Sequence, residues 1–90
     1  MVKCLELCPI DGRKSFYGKA RVIYPGLPYV SLVSYDTTVC TLDLETRRFV
    51  RHWDGYSATT LRHVNAFRVM YDLPLLSKSD WLSMQPGVPV

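Results

Sequence analysis

From Ser15 to Tyr24 the chain alternates with a period of two. Phe16, Gly18, Ala20, Val22 and Tyr24 fall on one face, and Tyr17, Lys19, Arg21 and Ile23 on the other. Such alternation predicts a strand, and the small Gly18 and Ala20 predict that a later helix packs closely there. Pro25-Gly26-Leu27-Pro28 reads as the loop that ends it. Tyr29 to Ser34 is the next predicted strand, with Val30 and Leu32 on one face and Val33 between tyrosines on the other. Tyr35-Asp36-Thr37 reads as a turn or bulge, and Thr38 to Asp43, rich in β-branched residues, continues as strand. After the short connection Leu44-Glu45-Thr46, Arg47 to Trp53 alternates again, with Phe49, Arg51 and Trp53 set against Arg48, Val50 and His52. Short connections favour an antiparallel meander. Before all of this, Val2 to Leu7 is a short apolar segment stopped by Pro9, and Asp11-Gly12 is a turn signal.

The period then changes. Asp54-Gly55 closes the last strand, and Ser57 or Thr59 can cap a helix in which Leu61, Val64, Phe67, Arg68 and Tyr71 recur at three- and four-residue steps. Arg62, Asn65 and Val69 fall on its outward side and His63 flanks the stripe, while Pro74 forbids continuation. Ser77-Lys78-Ser79-Asp80 has the form of a capping box opening a short helix to about Met84, with Trp81 and Leu82 as its apolar residues. The expected architecture is α+β: an antiparallel meander of about four strands, one main helix packed on the sheet and a short C-terminal helix. Phe16, Ala20, Val22, Val30, Leu32, Phe49, Leu61, Val64 and Phe67 are the expected core. Residues 1–90 form one small domain in this reading, with 86–90 a loose tail.

Ninety residues with 48% hydrophobic content, two Trp, six Tyr and three Phe suffice for one core. No apolar run approaches the roughly 20 residues of a membrane helix. The N-terminus lacks the apolar centre and small-residue cleavage site of a signal peptide. A cytoplasmic protein without membrane contact is expected. Cys4, Cys8 and Cys40 are odd in number, which argues against a secreted disulfide framework. If Cys4 to Cys8 is strand, its ends lie about 13 Å apart, too far for one zinc to bridge. Adding Cys40 and His52 or His63 as ligands is unforced, so free thiols are expected, with neither metal nor cofactor.

Charge is uneven. The net value is +3, but Arg13, Lys14, Lys19 and Arg21 precede Tyr35 with no acid after Arg13, and Arg47, Arg48 and Arg51 form a second basic cluster. This fits nucleic acid, an acidic protein surface or merely solvated strand faces. Arg62 and His63 stand in the first turns of the helix, where a cation opposes the helix dipole. A structural bond, to Asp54 or Asp36 for example, or contact with a partner would each explain them. Thr59 and Thr60 read as helix-start residues. A hydrolytic site from His52, Asp54 and His63 finds no support, since no nucleophile–base spacing or metal quartet accompanies it. No enzyme is expected.

The strings KSFYGKA, SYDTTVC and WDGYSATTLRHVNAF resemble a family of small uncharacterised proteins of bacterial genomes, phages and other mobile elements. Tyr56, Ser57, Thr59, Thr60, Arg62, His63, Val64, Asn65 and Phe67 match its helix string. The resemblance, which covers roughly Ser15 to Trp81, implies a mobile-element setting, where small proteins often act on host machinery, including defence systems. Two readings follow. In the first, the chain is a non-enzymatic protein-binding module, an inhibitor of a host defence (CRISPR-type) nuclease for instance. Its contact surface is the corner carrying Arg51, Trp53, Tyr56, Arg62, His63 and Asn65, because Trp, Tyr and Arg dominate interface energetics. In the alternative, Tyr17, Lys19, Arg21, Tyr29 and Arg51 interleave rings with cations and bind nucleic acid. One sheet face with three or more bases beside exposed rings would favour nucleic acid. An uncharged apolar patch would favour the protein partner.

Overall fold

The computed structural model describes residues 3–6, 19–26 and 28–89; for 3–6 it describes the backbone. Five antiparallel strands, one more than expected, follow one another in sheet order: β1 (Lys3–Glu6), β2 (Ala20–Gly26), β3 (Tyr29–Ser34), β4 (Thr37–Asp43) and β5 (Phe49–Arg51). The additional strand comes from the apolar N-terminal segment, whose Lys3 to Glu6 pair with Tyr24 to Arg21. Helix α1 (Ala58–Met70) lies over β3, and α2 (Lys78–Ser83) packs beside it. The α+β meander is the architecture that the two periodicities predict.

Among the described residues the predicted strand faces hold, because alternation fixes which side meets the helix. Ala20, Val22, Val30, Leu32, Leu42, Phe49, Val64 and Phe67 are buried in one core, which Val39, Cys40, Ala66 and Trp81 complete. Leu61 packs against it half-buried, and Phe16 lies outside the described residues.

Two strand ends and one register differ from expectation. β2 runs through Pro25 to Gly26 instead of stopping at Tyr24. Its register against β3 shifts between Ile23 and Gly26, so the missing proline N–H falls in an irregularity of the ladder. A second shift lies opposite Leu32 and Val33, which pair with Cys40 and Thr38 and leave Val39 as an extra residue in β4. That bulge lets Val39 and Cys40 both enter the core. It also turns the Val39 carbonyl to accept from the His52 and Trp53 N–H groups, so regular pairing of β5 ends at Arg51 rather than Trp53.

Helix ends follow local chemistry. Ser57 caps α1, its Oγ accepting from Thr60 N–H at 3.0 Å. The helix stops before Pro74 because Asp72 turns left-handed (φ 60°). There Asp72 N–H donates to Val69 O and Leu73 N–H to Arg68 O, the paired bonds of a Schellman ending. Ser77 and Asp80 form the predicted capping box of α2.

Candidate functional site

At the corner of β5, α1 and α2, the polar groups turn inward. Arg51 shares the core face of β5 with Phe49 and is only 3% exposed. Its Nε donates to Trp53 O at 2.8 Å, Nη1 to Trp81 O and Met84 O at 2.9 Å each, and Nη2 to Gly55 O at 3.1 Å. The guanidinium carbon lies 4.5 Å from the Trp81 ring centre. Four carbonyls and an indole face thus compensate a charge that burial would otherwise penalise heavily. Gly55 O also accepts from Trp81 Nε1 at 2.9 Å. A side chain at Gly55 would place Cβ 2.5 Å from the Trp53 ring, so the close approach requires glycine. The Trp53-Asp54-Gly55 turn is therefore the joint that seats α2 on the sheet.

The helix string is consumed in the same way. His63, which was expected to flank the stripe, is 1% exposed and shares a 2.8 Å hydrogen bond from Nδ1 with Ser34 Oγ. The tilted Tyr35 ring lies 6.0 Å away. Burial, with Arg62 adding to it, lowers the His63 pKa to about 4, so the imidazole is neutral near pH 7. Asn65, expected outward, faces the segment before α2. Its Nδ2 donates to Leu76 O at 3.0 Å, and its Oδ1 accepts from Leu76 N–H at 2.8 Å. Arg68 Nε donates to Pro74 O at 2.8 Å and its guanidinium stacks 4.7 Å from the Phe49 ring centre. Trp53, Tyr56 and Arg62 are half-buried, and Lys78 Nζ lies 4.8 Å from the Tyr56 ring centre. Of the residues placed by sequence on a contact surface, Arg51 and His63 are buried and Asn65 is half-buried against Leu76. Arg51 and Asn65 bond backbone groups, and His63 bonds the Ser34 hydroxyl.

The sheet face away from the helices is different. Arg21, Tyr29, Thr41, Asp43, Arg48, Val50 and His52 belong to it, by their register with Val33, Ser31 and one another. Arg51 does not, because it points to the core side. Tyr17 lies outside the described residues. Arg21 Nη2 donates to Tyr35 O at 3.1 Å and lies 3.9 Å from Asp36. Lys19 is exposed at the margin, 5.4 Å from the Tyr35 ring centre. Tyr29 is 48% exposed, and Arg48 and His52 are exposed too.

Across this face runs a polar chain. Thr41 Oγ1 is 2.8 Å from both His52 Nε2 and Ser31 Oγ. Beside it a recess of about 160 Å3 is lined by Tyr29, Thr41, Asp43, Arg48, Val50 and Pro89. Asp43 Oδ1 accepts from the N–H groups of Glu45 and Thr46 at 2.9 and 3.1 Å, and these bonds hold its pKa below the usual carboxylate value. Sequence reasoning missed Arg48 as a member of this face. The alternation that sets Arg48, Val50 and His52 against Phe49 was the signal that could have found it.

The remaining sequence candidates carry no centre of their own. Cys40 is buried beneath the sheet face, and burial raises its thiol pKa, so it is inert as a nucleophile. Cys8 lies outside the described residues, and of Cys4 only the backbone is described. Among the described residues no three His, Cys, Asp or Glu gather as metal ligands, and no helix is long and apolar enough to cross a membrane. Residues 5–83 match a family model described as a family of unknown function (DUF8033). No curated protein and no solved structure matches the chain.

Proposed function

The chain belongs to that family of unknown function, and from the geometry of its own surface we propose that it is a non-enzymatic protein that binds single-stranded nucleic acid on the sheet face away from the helices. One observation carries this reading: Arg21 and Arg48, with Lys19 at the margin, stand on one sheet face, and Arg48 shares a recess there with the exposed ring of Tyr29. Cations that meet phosphates and a ring that meets a base are the two parts of sequence-tolerant strand binding. The corner once expected to meet a protein directs Arg51, His63 and Asn65 into the fold, so it offers fewer groups to any partner.

The test is fluorescence anisotropy with labelled oligonucleotides over a salt series. Affinity near the micromolar range, falling steeply with salt, is expected, and Arg48→Ala should flatten the log–log slope by about 0.7. Salt-independent binding, or none at low salt, removes the proposal. A mobile-element setting, which the resemblance implies, leaves a host protein such as a defence nuclease as the competing partner. Pull-down of the tagged chain separates the two: a protein captured equally before and after nuclease treatment would favour the competing reading.

A further inference from the structure

Resting on that reading, we infer that the recess between Tyr29 and Pro89 is a subsite for one unpaired nucleobase, and that Asp43 selects bases carrying an exocyclic amino group over uracil and thymine. Size is the first ground. The recess measures about 160 Å3, and a cavity of about 150 Å3 accepts a single aromatic ring. A base pair would not fit, so the subsite demands a single strand.

Its lining matches a base in chemistry as well as size. Tyr29, Val50 and Pro89 supply ring and aliphatic walls, and a base face is apolar enough to be stabilised there by stacking. Arg48 stands in the same lining, a cation placed for the phosphate attached to the inserted nucleotide. Asp43 is the one anion among the described residues that line the recess, an unexpected neighbour for a purely phosphate-binding surface. Its backbone bonds keep it ionised, yet the Glu45 and Thr46 N–H groups and the Thr46 side chain occupy only part of a carboxylate's capacity for about four hydrogen bonds. What remains accepts N–H groups. Adenine, cytosine and guanine present such amino groups, whereas thymine and uracil offer only one imino N–H, flanked on both sides by carbonyl oxygens that a carboxylate repels. Thr41 adds little discrimination, since its hydroxyl is already engaged by His52 and Ser31.

The experiment compares short labelled homopolymers of A, C and T or U, in DNA and RNA series, with a strand of abasic sites, all at one low salt concentration. A and C strands should bind about five- to ten-fold tighter than T, U or abasic strands, the gain from a charge-assisted hydrogen bond made by an otherwise wet carboxylate. The tighter series identifies the sugar. Asp43→Asn keeps an oxygen for the Glu45 and Thr46 N–H groups and adds a donor, so it should abolish or reverse the preference at unchanged circular dichroism and salt slope. Equal affinity for every homopolymer and the abasic strand, with the salt slope intact, overturns the subsite and leaves phosphate binding standing. An amino-base preference that survives Asp43→Asn overturns the role of Asp43. Absence of binding to any strand overturns the broader reading as well.

Discussion

His63 shows how one side chain links the fold to pH. Its ring is enclosed between Ser34 and Tyr35, and its pKa falls from 6.5 to about 4. The unfolded chain therefore binds a proton between those values that the folded chain refuses. Stability is highest above about pH 6.5 and is lost as pH falls towards 4. Asp43 and Asp80, whose pKa values are lowered by backbone bonds, add their own loss only below about pH 4. Thermal unfolding should thus show a falling Tm between pH 7 and 4.5, and His63→Gln should remove most of that fall. An unchanged pH profile in the variant would exclude His63 as its origin. Arg51 is the second such residue. Lysine cannot reproduce a planar fork that reaches four carbonyls and covers an indole, so Arg51→Lys should destabilise by about 2–4 kcal/mol in urea unfolding. Sequence alternation put Arg51 beside Phe49, on the core side, yet its basic character suggested a surface. The resolution lay in Trp81 and Met84, some thirty residues away, and local pattern carries no such information.

At the scale of elements, the strands and helices were legible because each obeys one period, and both caps were legible because Ser57 and Ser77 stand where free N–H groups need acceptors. The bulge at Val39 was not. Whether an extra residue is absorbed depends on where the partner strand's apolar side chains fall, and Leu32 and Val33 differ from any neighbouring pair only in register. Nor was the seating of α2 legible. Asn65 reads as an outward polar residue on a helical wheel, and only the returning segment 74–76 makes it a clamp. Asn65→Ala would leave Leu76 N–H and C=O without partners in a half-buried place. It should cost about 1–3 kcal/mol, with the loss concentrated in α2. Hydrogen exchange checks this: α2 amides, and the Trp81 indole that bonds Gly55, should exchange faster while those of β3 and β4 keep their protection. A uniform loss across the sheet would mean that Asn65 supports the whole fold rather than the docking of one helix.

The molecule as a whole divides its two sheet faces between tasks. The helix-covered face holds the core and absorbs the polar residues of the helix string, and the other carries the cations and the recess. The C-terminal segment joins them. Expected as a loose tail, residues 86–89 run beside the last strand, where Gly87 N–H donates to Arg51 O at 2.7 Å and Pro89 lines the recess. One short segment thus covers part of the β5 edge, is tethered to the backbone of the buried arginine, and helps to line the recess. Removing residues 86–90 should separate these contributions. The core keeps all its members, so the unfolding transition should remain cooperative with a modest fall in Tm. The freed β5 edge offers unpaired backbone groups, so self-association should increase with concentration in sedimentation measurements. Oligonucleotide affinity should drop through loss of the Pro89 wall, while the salt slope stays the same, because the segment contributes no cation to phosphate contact. A flattened salt slope after truncation would mean that the deletion disturbs Arg21 or Arg48. Undiminished affinity would mean that Pro89 is no part of the binding surface.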